Sequence, residues 1–223
     1  MTDRLNQKAK CAGSPLFEGV KASQLAWLLN VGQNVQLKQR EYLFRRGQAC
    51  DQIFILLSGH IKLSIPVECG QDKVIEFLSP GEAFGESALL PGHLLLADAQ
   101  ALEPCELLAF KSEDVRLAIE RVPPFAQQLI TNLSLRFESL LRDLESVSLL
   151  TAVQRVAAYL LRQPRVGNQA KLPFYKRTIA SKLGLQPETF SRSLQQLAAD
   201  GLISVRGARV VFHDVARLQA LLA

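Results

Sequence analysis

The chain has 223 residues, 48% hydrophobic and 21% charged, with a net charge of +5. That composition suits one large or two small globular domains with a real core, and it excludes a disordered, collagen-like or disulfide-packed chain. Charge is unevenly placed: residues 1–149 hold 15 Lys+Arg against 18 Asp+Glu, a net of −3, while residues 150–223 hold 11 against 3, a net of +8. A basic third joined to a mildly acidic two-thirds points to a nucleic-acid-binding module attached to something else. The longest apolar runs, such as residues 53–57 and 94–97, fall far short of a membrane span, so no membrane partner is expected. Residues 1–11 are polar and basic with no apolar centre, so no secretory signal is expected either. Cys11, Cys50, Cys69 and Cys105 stand 39, 19 and 36 residues apart with no C-x-x-C pair, which reads as free thiols in a reducing cytoplasm.

In chain order, residues 15–29 read as a short amphipathic helix. Ser14 caps it ahead of Pro15, and Leu16, Phe17, Val20, Leu25, Leu28 and Leu29 form its apolar face. From Val35 to Phe110 short apolar runs alternate with Gly and Pro breaks. The runs 52–57, 60–65, 73–78 and 107–110 have strand length, and strands so punctuated suggest a β-sandwich or barrel. Residues 112–122 read as a helix ended by Pro123-Pro124. A long helix follows over 124–150, without internal Gly or Pro. Its apolar positions Leu133, Phe137, Leu140, Leu144 and Val147 alternate in spacings of four and three, with Thr151 next in phase. Such a stripe packs either on its own domain or on a second chain. The length and the strict alternation favour a two-chain coiled coil, hence a homodimer. Residues 151–161 form another helix, 163–168 a turn-rich break, 175–183 and 187–200 two short helices, 202–212 a strand–turn–strand hinged on Gly207, and 215–222 a last helix.

Residues 178–192 carry the most specific pattern, a helix-turn-helix. Ala180 is small where two helices must cross closely, and Gly184 stands where the turn needs a positive φ. Ile179, Leu183, Leu185, Phe190 and Leu194 would form the shared core, and Pro187 would start the second helix, where its missing N–H costs nothing. That helix then presents Gln186, Glu188, Thr189, Ser191 and Arg192, side chains suited to base edges and phosphates. Lys176 and Arg177 before it, and Arg206 and Arg209 about Gly207 in a β-hairpin wing, are expected on phosphates of double-stranded DNA. No Ser/His/Asp or paired-carboxylate constellation appears, and the three histidines stand far apart, so no enzyme is expected.

With these residues in place, the chain resembles bacterial transcription regulators of the Crp/Fnr superfamily from about Leu16 to its C-terminus. Phe44-Arg45-Arg46-Gly47-Gln48 and residues 53–63 resemble the strand–glycine repeats of that family's cyclic-nucleotide-binding β-roll, and Pro80-Gly81-Glu82-Ala83-Phe84-Gly85-Glu86 resembles its central turn. Glu188-x-x-Ser191-Arg192 resembles the Fnr-type recognition signature, and residues 186–192 are most similar to the nitric-oxide-responsive Dnr branch, which controls denitrification. The resemblance implies an α+β chain: a tail (1–15), a jelly-roll-like β-roll that senses an effector (16–122), a dimerisation helix (123–150) and a winged helix-turn-helix (151–223). It also implies an Fnr-like palindrome with TTGAT half-sites and RNA polymerase as a partner.

Cyclic-nucleotide sensors of the family hold the phosphate with the Gly-Glu turn and an Arg followed by Ser or Thr about ten residues on. A phosphate needs backbone N–H groups and a guanidinium to neutralise it. Gly85 and Glu86 are present, but the matching stretch is Leu94-Leu95-Leu96-Ala97, and no Lys or Arg lies between Glu86 and Lys111. Cyclic AMP is therefore not expected, and Gly85-Glu86 reads as a structural turn. An Fnr-style iron–sulfur cluster needs four thiolates, several of them in the tail, where Cys11 stands alone, so none is expected. Cys50 and Cys105 read as small buried hydrophobes. The Dnr resemblance implies haem, which needs an apolar slot and an imidazole. Leu94, Leu95 and Leu96 facing the dimer helix are the candidate slot. His93, in the adjoining loop, is the preferred ligand, the alternative being an exposed loop histidine. His60 is a strand residue with a structural role, and His213 lies beyond the wing.

Overall fold

The computed structural model describes residues 14–68 and 72–222, so Cys11, Cys69 and most of the expected tail lie outside it. The described chain divides into two compact units between Phe137 and Glu138. In the first unit, α1 (Ala22–Val31) precedes eight strands: β1 (Gln33–Leu37), β2 (Tyr42–Phe44), β3 (Gln52–Ser58), β4 (Ile61–Ile65), β5 (Lys73–Leu78), β6 (Ala83–Phe84), β7 (Asp98–Ala101) and β8 (Cys105–Lys111). α2 (Ser112–Arg121) and α3 (Pro123–Leu149) follow. The strands form two antiparallel sheets, ordered β1-β8-β3-β6 and β2-β7-β4-β5.

Strand β3 shows why this unit needs two cores. Its five central residues are all buried, and side chains alternate between the faces of a strand. Ile53, Ile55 and Leu57 join one cluster with Leu28 of α1, Val115 and Ala118 of α2, and Phe125 and Leu129 of α3. Phe54 and Leu56 join a second cluster with Ile61, Leu78, Ala99 and Leu107, contributed by both sheets. The first sheet therefore carries helices on one face and the second sheet on the other.

The expected helix over 15–29 is two pieces. A 3-10 turn, Pro15–Phe17, is capped by Ser14, whose hydroxyl accepts from Leu16 N and donates to Gly81 O. Gly19 then takes φ +76° and breaks the helix before α1. Strands β1, β2, β6 and β7 were not anticipated. β1 is an edge strand with mostly exposed side chains, and β7 (Asp-Ala-Gln-Ala) has no β-branched residue. Both are strands because partners on neighbouring strands pair with them. Asp98, at the start of β7, is buried and accepts from Arg46 N (2.7 Å) and Arg45 Nη1 (3.0 Å), which pins the Arg-Arg-Gly turn.

The second unit contains the end of α3, α4 (Ala152–Arg162), β9 (Arg165–Val166), β10 (Gln169–Lys171), α5 (Lys176–Lys182), α6 (Pro187–Ala199), β11 (Ile203–Arg206), β12 (Arg209–Phe212) and α7 (Val215–Ala220). The stretch expected as a turn-rich break is the β9–β10 hairpin, which extends the wing to a four-stranded sheet, β11-β12-β10-β9. Thr151 lies outside α3. It caps α4 in a reciprocal box with Gln154, so the seam does not continue through it. No helix among the described residues is long and apolar enough to cross a membrane.

Candidate nucleic-acid interface and effector site

The helix-turn-helix forms as its residue types require. Gly184 takes φ +67°, and Leu185 N donates back to Ala180 O (2.9 Å), which closes the end of α5. Ile179, Ala180, Leu183, Phe190, Leu194 and Leu197 are buried together, with Leu185 packed against them. Pro187 is the first residue of α6 and Gln186 its cap. The apolar face turned inward leaves Glu188, Ser191 and Arg192 exposed at spacings of three and four, hence on one helical face. Gln186 is also exposed, Thr189 is half-buried and its backbone carbonyl accepts from Ser193 Oγ, and Lys176 and Arg177 are exposed in the first turn of α5.

Gly207 takes φ +61° at the wing tip. Arg206 pairs in register with Arg209, and Arg209 with Lys171 of β10. Directly opposed residues of antiparallel strands share a face, so these three cations form a row across three strands. They line a concavity with Pro164, Val166 and Gln169. Sequence reasoning missed Lys171 because β10 was not anticipated. Like charges placed so close are unfavourable alone and suit a polyanion.

In the first unit, Gly85 takes φ +88° at the start of a 3-10 turn, Glu86–Leu89. A Cβ there would meet Gln52 O at 3.1 Å and the Phe54 ring at 3.2 Å, so only glycine fits. Glu86 does more than turn the chain. Its carboxylate accepts from Nη1 of Arg136 on α3 (2.5 Å), while Glu76 of β5 accepts from Nε (3.2 Å) and Nη2 (2.8 Å), and Ala83 O accepts from Nη1 (3.2 Å). Burial works against the charge of Arg136, yet Glu86 and Glu76 outweigh it and hold the guanidinium above its usual range. This cation is 50 residues from Glu86, well beyond the stretch from Glu86 to Lys111 that lacks Lys and Arg. The available signal was helical phase: Phe125, Leu129, Asn132 and Arg136 follow at i+4, i+7 and i+11 along the face turned to the chain's own strands. Glu82, close to Glu76, Arg136 and His60, has its carboxyl pushed up mainly by burial.

The expected leucine slot is not formed. Leu95 is buried in the core between the sheets, whereas Leu94 and Leu96 are 51% and 75% exposed, because the stretch is extended and alternates. His93 is exposed. His60 lies in the turn between β3 and β4 rather than in a strand, with Nδ1 against Glu103. His213 follows β12. Among the described residues of a single chain, Leu94–Leu96 therefore form no apolar slot around an imidazole, and no cluster of three or more His, Cys, Asp or Glu side chains could hold a metal ion. Cys105 is buried and its thiol is pushed up by that burial; Cys50 is half-buried, less enclosed than expected.

Residues 34–121 match the cyclic nucleotide-binding domain, and residues 154–221 the Crp-like helix-turn-helix domain. The chain is 31% identical over 209 residues to the cyclic AMP receptor protein of Thermus thermophilus, covering 94% of this chain and 97% of that one. It is 29% identical over 196 residues to the transcriptional activator protein Anr of Pseudomonas aeruginosa, covering 83% and 78%. Its fold is similar to that of FixK2 from Bradyrhizobium japonicum, with a TM-score of 0.75 and 23% identity over 86% of this chain and 98% of that one.

Proposed function

The chain belongs to the Crp/Fnr family of transcription regulators, and from that premise we propose that it acts as a homodimer on an Fnr-like palindrome with TTGAT half-sites, gated by a small effector that is not an anion. The observation that carries the DNA reading is the exposed face of Glu188, Ser191 and Arg192 on α6, in a unit whose sequence is strongly basic. Arg192 gives a bidentate pair to guanine O6 and N7, Glu188 accepts from an exocyclic amine, and Ser191 lets the helix approach and touches a thymine methyl. Lys176, Arg177, Arg206, Arg209 and Lys171 hold phosphates, and RNA polymerase is the partner at the promoter. Two copies of α3 pair through Leu133, Phe137, Leu140, Leu144 and Val147, all exposed in the single chain. The test is a titration of the wild type and Arg192→Ala against the palindrome and its single-base variants. Arg192→Ala loses about 1–3 kcal/mol, concentrated at the G·C pair; full retention of that preference would reject Arg192 as the reader.

The effector reading rests on Arg136. The β-roll does hold a guanidinium beside Glu86, but two carboxylates already claim it, so the cluster carries net negative charge. A cyclic nucleotide brings another negative charge and meets Leu94 and Leu96 where the phosphate-binding Arg-Ser pair would stand. Although the Thermus relative is a cyclic AMP receptor by name, cyclic AMP is not the effector proposed for this chain. Haem sensing of nitric oxide, with His93 or His60 as ligand, follows from the Dnr resemblance alone. The surplus carboxylate beside Arg136 favours a small uncharged effector, and a small apolar or redox effector without haem is the alternative to haem sensing.

A further inference from the structure

The DNA-reading helix is tied to the long helix by a charge cluster on the flank of the dimer seam. Asp143 of α3 accepts from Lys182 Nζ of α5 (2.5 Å) and faces Arg162 Nη1 of α4 (3.6 Å). The Lys182 side chain is 14% exposed and that of Asp143 26%, so water screens the pair only in part. Arg155 of α4 makes a second tie. Its guanidinium donates to Val147 O (2.8 Å) and Leu150 O (3.0 Å) at the end of α3, and to Leu183 O (3.4 Å) at the end of α5. A cation at two helix C-termini is favourably placed against both dipoles. The chain itself links α3 to α4 through Leu150 and Thr151 alone, neither of them helical. With the Asp143–Lys182 contact, α5 cannot swing about that link without separating the pair, and α6 moves with α5 because Ile179, Phe190 and Leu194 share one core.

We propose that Asp143, through Lys182, sets the half-site spacing that the dimer accepts. The inference rests on the reading of the chain as a DNA-binding dimer joined along α3. In such a dimer α3 is the shared rod, so whatever fixes α5 to the rod fixes both recognition helices relative to the two-fold axis. Half-sites one turn apart lie about 34–36 Å apart over 10–10.5 bp. One added base pair therefore moves a half-site by about 3.4 Å and rotates it by roughly 35°. A rigid joint rejects that displacement and a loosened joint tolerates it. Asp143 contacts no DNA in this scheme; it is a positioning residue, and its signature is a ratio of affinities rather than an affinity.

The experiment titrates the full chain against three duplexes with identical half-sites whose centres lie about 9, 10 and 11 bp apart. Wild type prefers one spacing. Asp143→Asn and Lys182→Gln each flatten that preference by on the order of threefold or more, and the double variant flattens it no further than Asp143→Asn alone, because Asp143→Asn has already removed the contact that Lys182→Gln removes. Retention of the wild-type ratio in Asp143→Asn, or additive effects in the double variant, would overturn the proposal. If wild type binds no duplex in a salt-dependent way, the DNA-binding reading falls and this inference with it; if wild type binds and Asp143→Asn keeps the ratio, the spacing inference falls alone.

Discussion

Arg136 shows how much one residue can carry. Its guanidinium bridges β5, the Gly85 turn and α3, and the Arg136, Glu76 and Glu86 side chains are no more than 17% exposed. Removing one member of such a cluster leaves buried charges without compensation, which costs more than the intact cluster contributes. Arg136→Met should therefore lower stability by about 3 kcal/mol in a denaturant titration, and adding Glu76→Gln and Glu86→Gln should recover much of it. A loss within a few tenths of a kcal/mol would mean that water reaches the cluster freely. Glu82 makes a pH-dependent counterpart. Its carboxyl is pushed up by burial, with Glu76 adding to the rise and Arg136 and His60 opposing it. The folded chain binds this proton more tightly than the unfolded chain, so stability falls as pH rises from about 4.3 through the raised folded value. Glu82→Gln keeps an acceptor for Ser79 N and removes that fall. A stability–pH profile unchanged from wild type above pH ~4.3 would show that Glu82 ionises without penalty.

Among the elements, α3 was the most legible and still held a surprise. Its seam can be read from spacing alone, since Leu133, Phe137, Leu140, Leu144 and Val147 are set by local helical periodicity. In the structure all five are exposed, between 40% and 65%, as a stripe with no partner in its own chain requires. Leu140→Asp with Leu144→Asp should give monomers by light scattering and much weaker DNA binding, while the thermal unfolding of the single chain changes little. Dimers that persist would place the interface elsewhere. The second stripe of α3 could not be read so easily. It begins apolar at Phe125 and Leu129, then turns polar at Asn132 and Arg136, and polar residues on a helix ordinarily read as a solvated face. Only the acidic groups of β5 and the Gly85 turn make that polar stretch an inward one. The strands behaved likewise. Runs 52–57 and 73–78 announce themselves by β-branched and aromatic content, whereas β1 and β7 owe their conformation to partners 68–76 and 55–58 residues away in sequence.

For the whole molecule, the two units make separable demands on a ligand. The second presents a surplus of cations to a polyanion, and the first encloses a cluster with surplus carboxylate. Cyclic AMP added at millimolar concentration should therefore neither release heat of binding nor alter DNA affinity, whereas raised salt should weaken DNA binding steeply. Saturable binding of cyclic AMP in the micromolar range would overturn the reading that this cluster excludes an anionic effector. An absorbance titration with haem is the companion test: a Soret band that shifts with nitric oxide would revive the imidazole assignment, and its absence in His93→Ala alone would identify the ligand.

What the sequence by itself determined is the charge balance, a basic third against an acidic two-thirds, and whatever depends on neighbours within a few turns: the helix-turn-helix around Gly184 and Pro187, the α3 seam, and the Gly85 turn. Helical phase and positive-φ glycines are local properties, and a local pattern is enough to read them. The tertiary structure alone decided which charges meet. It set Arg136 between Glu76 and Glu86, Asp143 against Lys182, and Lys171 beside Arg209, and it turned Leu95 inward while exposing Leu94 and Leu96. The physical reason is that ion pairs and strand register join residues that chain folding brings close, and a one-residue shift of register would face each strand's side chains the other way.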